Sequence, residues 1–140
     1  MNGVRDVNRI KMAALVTTLV LPLVATVAAP GAAFAATPQC TTGNVKNGAW
    51  LPAASNGSFT CIMGEGAQSD AVYWLQSSLD QCYTDITLDW DSKYGPQTRK
   101  AVLKIQDKYN LDEDGVYGPK TRAKMLWKPA ITSEPCKTVG

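Results

Sequence analysis

The chain has 140 residues, of which 14 are Lys or Arg and 12 are Asp or Glu, with four cysteines and no histidine. This length leaves room for one small domain and none for a separate catalytic one. The lack of histidine excludes the usual zinc-peptidase and Ser-His-Asp arrangements, and the near-balanced charge gives no electrostatic footprint for nucleic acid.

The first segment reads as an export signal. Met1 to Lys11 carries Arg5, Arg9 and Lys11 against a single Asp6, and Met12 to Ala29 is almost wholly apolar. Such a run could just span a bilayer. Pro22, Pro30-Gly31 and the A-x-A site at Ala33–Ala35 favour cleavage after Ala35 instead. Residues 1–35 are therefore expected to be removed, leaving 11 basic and 11 acidic residues in a neutral chain with no membrane association.

Residues 36–66 are rich in Gly, Asn, Ser, Thr and Pro. Within them "AWLPAASNGSFTCIM" sets Asn56-Gly57 between two apolar runs, which predicts a β-hairpin with Trp50, Leu51, Phe59 and Ile62 packing inward. Cys40, Cys61, Cys82 and Cys136 all follow the cleavage point, and an even set in an exported chain predicts two disulfides. Three pairings are open. Cys40–Cys61 with Cys82–Cys136 is favoured because it clips the N-terminal flap and ties the tail, residues 129–140, to the rest. No metal site is expected, since there is no C-x-x-C.

From Ser69 the periodicity becomes helical. Val72, Leu75, Leu79 and Cys82 share a face, with Ser69 as the expected N-cap. A second helix is expected from Pro96, burying Ala101, Val102, Ile105 and Tyr109. A third is expected from Pro119, carrying Ala123, Met125, Leu126 and Trp127 as far as Pro129. Residues 67–128 also repeat themselves. "AVYWLQSSL" (71–79) echoes "AVLKIQDKY" (101–109), and "LDWDSKYGPQTR" (88–99) echoes "LDEDGVYGPKTR" (111–122). A unit this short must bury its apolar face on its twin. Gln76 and Gln106 are expected to bond the adjacent loop backbone.

Together, "VYWLQSSL", "YGPQTRKAVLKIQDKYNL" and "DEDGVYGPKTRAKML" resemble the peptidoglycan-binding domain 1 family, over about Gly64 to Leu126. The resemblance implies a mainly α fold: a compact three-helix bundle, here with a small N-terminal hairpin and disulfide staples. It further implies a secreted, cell-wall-associated protein whose partner is peptidoglycan. The first turn departs from the family pattern, with Ser92 where Gly is usual and Lys93 where an apolar residue is usual, so the geometry of Asp91–Tyr94 is open.

Candidate ligand contacts are Trp90, Tyr94 and Tyr117 for stacking on sugar, and Arg99 and Arg122 for pairing with stem-peptide carboxylates. The same tyrosines and arginines can equally be core and surface residues. No catalytic residue, cofactor or metal is expected, and a neutral chain predicts a monomer. The alternative reading is a secreted interaction or inhibitory protein that uses the same bundle to hold a protein partner.

Overall fold

The computed structural model describes residues 36–140; the expected export signal and its cleavage point lie outside them. Strands β1 (Thr42–Lys46) and β2 (Ala49–Ala53) form an antiparallel hairpin in which Val45 faces Trp50. Its two-residue turn is Asn47-Gly48, with φ of 50° and 74°. Positive φ at both positions is the twist a tight hairpin needs, and Asn-Gly adopts it at little cost.

The hairpin is therefore one Asn-Gly earlier than the sequence predicts. Asn56-Gly57 does turn the chain: Gly57 has φ +82° and its N–H donates to the Ala54 carbonyl. The following segment, however, does not return along β2. Cys61 is bonded to Cys40, with Cα atoms 5.1 Å apart. That bond lays Cys61–Met63 beside Pro38–Cys40, where Cys40 donates to the Ile62 carbonyl and Ile62 to the Pro38 carbonyl, both at 2.9 Å. A covalent partner 21 residues away outweighs the local turn signal.

Helix α1 (Asp70–Cys82) buries Ala71, Val72, Leu75, Gln76 and Leu79. Ser69 holds the N-cap position without capping; its Oγ donates to the Cys40 carbonyl at 3.4 Å. Helix α2 (Pro96–Lys108) starts at Gly95-Pro96 and buries Ala101, Val102 and Ile105. Tyr109 closes its C-terminus and is only partly buried.

Helix α3 (Pro119–Lys124) is much shorter than expected. It does not continue to Pro129, because non-local partners take the backbone after Met125. The Leu126 N–H donates to Tyr83 Oη at 2.7 Å. Trp127 pairs through both backbone groups with Lys137, and its Nε1–H donates to the Arg122 carbonyl. The Cys82–Cys136 bond delivers Lys137 to that place. Among the described residues the result is three helices of unequal length, a two-stranded hairpin and two disulfides.

One core joins these pieces. Leu51 and Ala49 from the hairpin, Met63, Leu75 and Leu79, Val102 and Ile105, Tyr94, Tyr117, Trp127 and Val139 form a single buried cluster. A two-stranded hairpin is marginal in water on its own. Here it is held by the Cys40–Cys61 bond, by Leu51, and by the ring of Trp50 stacked on Trp74 at 4.3 Å.

Candidate functional site

The duplicated segment builds the same device twice. In the first copy, Gln76 Nε2 donates to Asp91 Oδ1 at 2.9 Å and to the Lys93 carbonyl at 3.0 Å, with Thr98 Oγ1 also at 3.0 Å. Its Oε1 accepts the Ser92 N–H at 3.0 Å. In the second copy, Gln106 Nε2 donates to Asp114 Oδ1 at 2.7 Å and to the Val116 carbonyl at 3.0 Å, and Oε1 accepts the Gly115 N–H at 2.9 Å. Each aspartate also accepts the N–H two residues on, from Lys93 and Val116. The glutamine amides bond the neighbouring loops, and this consumes them. Their task is to hold a turn open.

The open first-turn geometry has a clear answer. Ser92 has φ +62° and Gly115 φ +68°, so serine adopts the left-handed conformation that glycine supplies in the second copy. A side chain in that region costs about 1–2 kcal/mol, partly offset by the greater freedom of glycine in the unfolded chain. Ser92→Gly is therefore expected to raise stability by about 0.5–1 kcal/mol, read as a higher midpoint in thermal or denaturant unfolding. The reverse change at Gly115 meets a steric obstacle besides the positive φ, since a Cβ there would lie 2.8 Å from Arg99 Cγ.

The two turns are stitched side by side by one segment. Met63 exchanges both backbone hydrogen bonds with Tyr117, and four residues later Ala67 accepts the Tyr94 N–H while Gly66 donates to the Tyr94 carbonyl. Tyr94 itself crosses between copies: its hydroxyl donates to the Gly115 carbonyl at 2.9 Å. The role of Met63–Ala67 carries no signal in the sequence, because it lies wholly in backbone groups.

Beside each turn is an open hollow. The first, about 430 Å³, is bordered by Leu88, Asp89, Asp91, Lys93 and Gly95 to Thr98. The second, about 270 Å³, is bordered by Leu111, Asp112, Asp114, Val116 and Gly118 to Thr121. Every one of these residues in the first has its counterpart 23 positions on in the second. The rims differ where the copies differ: Lys93 and Gln97 at the first, Val116 and Lys120 at the second, with Ile62 closing the second as well. Gln76, and then the Lys93 N–H, hold the Asp91 carboxyl below its ordinary value, so it stays ionised beside the first hollow. Each hollow thus offers an apolar wall with charged and amide groups at the edge.

The five contact residues expected from sequence do not form one groove. Tyr94 and Tyr117 are 1% and 0% exposed, so neither ring presents a face for stacking. Burial pushes both phenols well above their ordinary pKa and keeps them neutral. Arg99 is half-exposed and lies over the second turn, its Nη2 donating to the Asp114 carbonyl at 3.3 Å and its Nε 3.9 Å from Glu65. The Arg122 Nε and the Tyr117 hydroxyl are buried and have no hydrogen-bond partner among the described residues. Trp90 is partly exposed and makes its contacts with Asp80, Tyr73 and Lys128. The lining residues Lys93, Gln97 and Lys120 were readable instead from the 23-residue echo.

Residues 68–125, which contain both turns and nearly all of both hollows, match the model of the family described as "Putative peptidoglycan binding domain". The chain belongs to that family. Among solved structures, a peptidoglycan-binding protein from Clostridioides difficile, in complex with glutamine hydroxamate, is 30% identical over 51% of this chain and 42% of its own, with a TM-score of 0.44. The SleB N-terminal domain is 32% identical over 45% of this chain and 85% of its own, with a TM-score of 0.42. The chain therefore spans less than half of the first of these and most of the second. No curated protein matches the chain significantly.

Proposed function

We propose that this is an exported, non-catalytic protein that binds the bacterial cell wall through the two hollows beside its Tyr-Gly-Pro turns. The observation that carries the reading is the coincidence of the family match with both hollows: residues 68–125 supply every lining residue but Ile62. Peptidoglycan offers sugar rings with apolar faces, and stem peptides with carboxylates and amines. An apolar wall edged by Lys, Asp and amide groups suits either. Export is supported by the basic-then-apolar first segment with its A-x-A site and by two disulfides, which persist in oxidising compartments. A non-catalytic role is supported by the lack of histidine and by the engagement of all four cysteines in disulfides. Among the described residues no helix is long and apolar enough to cross a membrane.

The test is co-sedimentation of the protein, secreted from its full chain, with purified insoluble walls. Saturable pelleting is expected, with return to the supernatant when the walls are first digested by a muramidase. Protein that stays soluble with intact walls contradicts the reading. Pelleting that survives digestion points to a protein partner.

A further inference from the structure

Three of the four tryptophans stand at the surface; only Trp127 is in the core. Trp50 stacks on Trp74 with ring centres 4.3 Å apart, Trp74 meets Tyr73 edge-on at 5.1 Å, and Tyr73 meets Trp90 edge-on at 5.9 Å. The four rings form an unbroken strip from the hairpin, along the outside of α1, to the loop before the first turn, and each is partly exposed.

The internal repeat serves as a control on what the bundle itself requires. The counterparts of Tyr73 and Trp74 in the second copy are Leu103 and Lys104, and the counterpart of Trp90 is Glu113. The same helix and turn are built there with no ring at any of these three positions. Copy one therefore carries aromatic surface that helix packing does not demand. Part of it secures the hairpin, since a Cβ on Gly43 would fall 2.1 Å from the Trp74 ring. That contact does not account for Tyr73 or Trp90.

Two further features bear on what covers the strip. Polar groups run along it: Asp80 Oδ2 accepts the Trp90 Nε1–H at 3.2 Å, and Lys128 Nζ lies 5.1 Å over the Trp90 ring. The strip also ends next to the first hollow along the chain, because Trp90 stands between Asp89 and Asp91, both of which border that hollow. Aromatic rings beside fixed carboxylate and ammonium groups suit a ligand that alternates apolar faces with hydroxyls.

We propose that Trp50, Trp74, Tyr73 and Trp90 form a contact surface for the sugar rings of a glycan strand, which runs from the first hollow along α1. The proposal rests on the wall-binding reading above and names the component of the wall that this face takes: glycan rather than stem peptide.

The probe is wall glycan stripped of its stem peptides by an amidase, titrated into the secreted protein with tryptophan fluorescence as the signal. The variants are Tyr73→Leu and Trp90→Gln, singly and together, because Leu103 stands at the Tyr73 counterpart and a neutral amide at position 90 can still donate to Asp80. The parent is expected to bind the stripped glycan and the double variant at least tenfold more weakly, with an unfolding midpoint close to the parent's. Pelleting of the double variant with whole walls is expected to weaken without vanishing, since both hollows are intact. A parent that pellets with walls yet ignores stripped glycan overturns this inference and leaves the wall-binding reading in place. So does a double variant that binds the glycan as tightly as the parent. A parent that binds neither walls nor glycan overturns both.

Discussion

Gln76→Ala and Gln106→Ala are each expected to lower folding stability by about 3 kcal/mol, which for a domain of this size means a fall of more than about 10 °C in melting temperature. Both side chains are 2% exposed. Removing Gln76 strands the Ser92 N–H and takes one partner each from the Thr98 hydroxyl and from the Lys93 carbonyl, which keeps the Gly95 N–H. Removing Gln106 strands the buried Gly115 N–H and the Val116 carbonyl. A buried group left without a partner costs about 1–3 kcal/mol, more than the bond itself contributes. Water can reach the exposed Asp91 and Asp114 carboxylates, so those two are left out of the sum. Circular dichroism during denaturant unfolding checks the figure. A loss below about 1 kcal/mol in both variants would mean that the turns hold their shape unaided.

The disulfides carry the other large effect. Opening Cys82–Cys136 by double substitution to alanine is expected to cost about 4 kcal/mol, because its 54-residue separation restricts the unfolded chain over a long loop. Cys40–Cys61 closes 21 residues and is worth about 3 kcal/mol on the same basis. Its loss also disturbs packing, since both sulfurs lie in the core. The longer bridge has a local consequence as well. It presents Lys137 to Trp127 and seats Val139 in the core, so the tail should become a protease target once it is opened. Denaturant unfolding with and without reductant measures the total, and limited proteolysis reads the tail. Equal midpoints in the two conditions would contradict this account.

The duplication made much of this architecture legible. Tyr-Gly-Pro-x-Thr recurs at a fixed offset and each copy has its apolar-Gln partner upstream, so two helix starts and their glutamine braces followed from local residues alone. Ser92 took the glycine conformation because three bonds from Gln76 and Asp91 fix the loop around it. The failures came where distant residues decide. Two Asn-Gly pairs compete for one hairpin, and the earlier one wins with distant help from the Cys40–Cys61 bond and from Trp74, which stacks on Trp50. The end of α3 depends on Tyr83 and Lys137, neither of them near it in sequence. Tyr94 and Tyr117 read equally as core and as ligand contacts because the phenol suits both; the hydroxyl of Tyr94, bonded to the Gly115 carbonyl, marks it as a tie between copies. The aromatic strip joins Trp50 to a helix 20 residues on, and the helical period alone only shows that Tyr73 and Trp74 lie off the buried face.

Co-sedimentation of the secreted protein with intact and with muramidase-digested walls bears most directly on whether these paired hollows hold peptidoglycan. Saturable pelleting that disappears with digestion is the predicted result. A protein that remains in the supernatant over intact walls, at concentrations where its fold is unchanged, would contradict it.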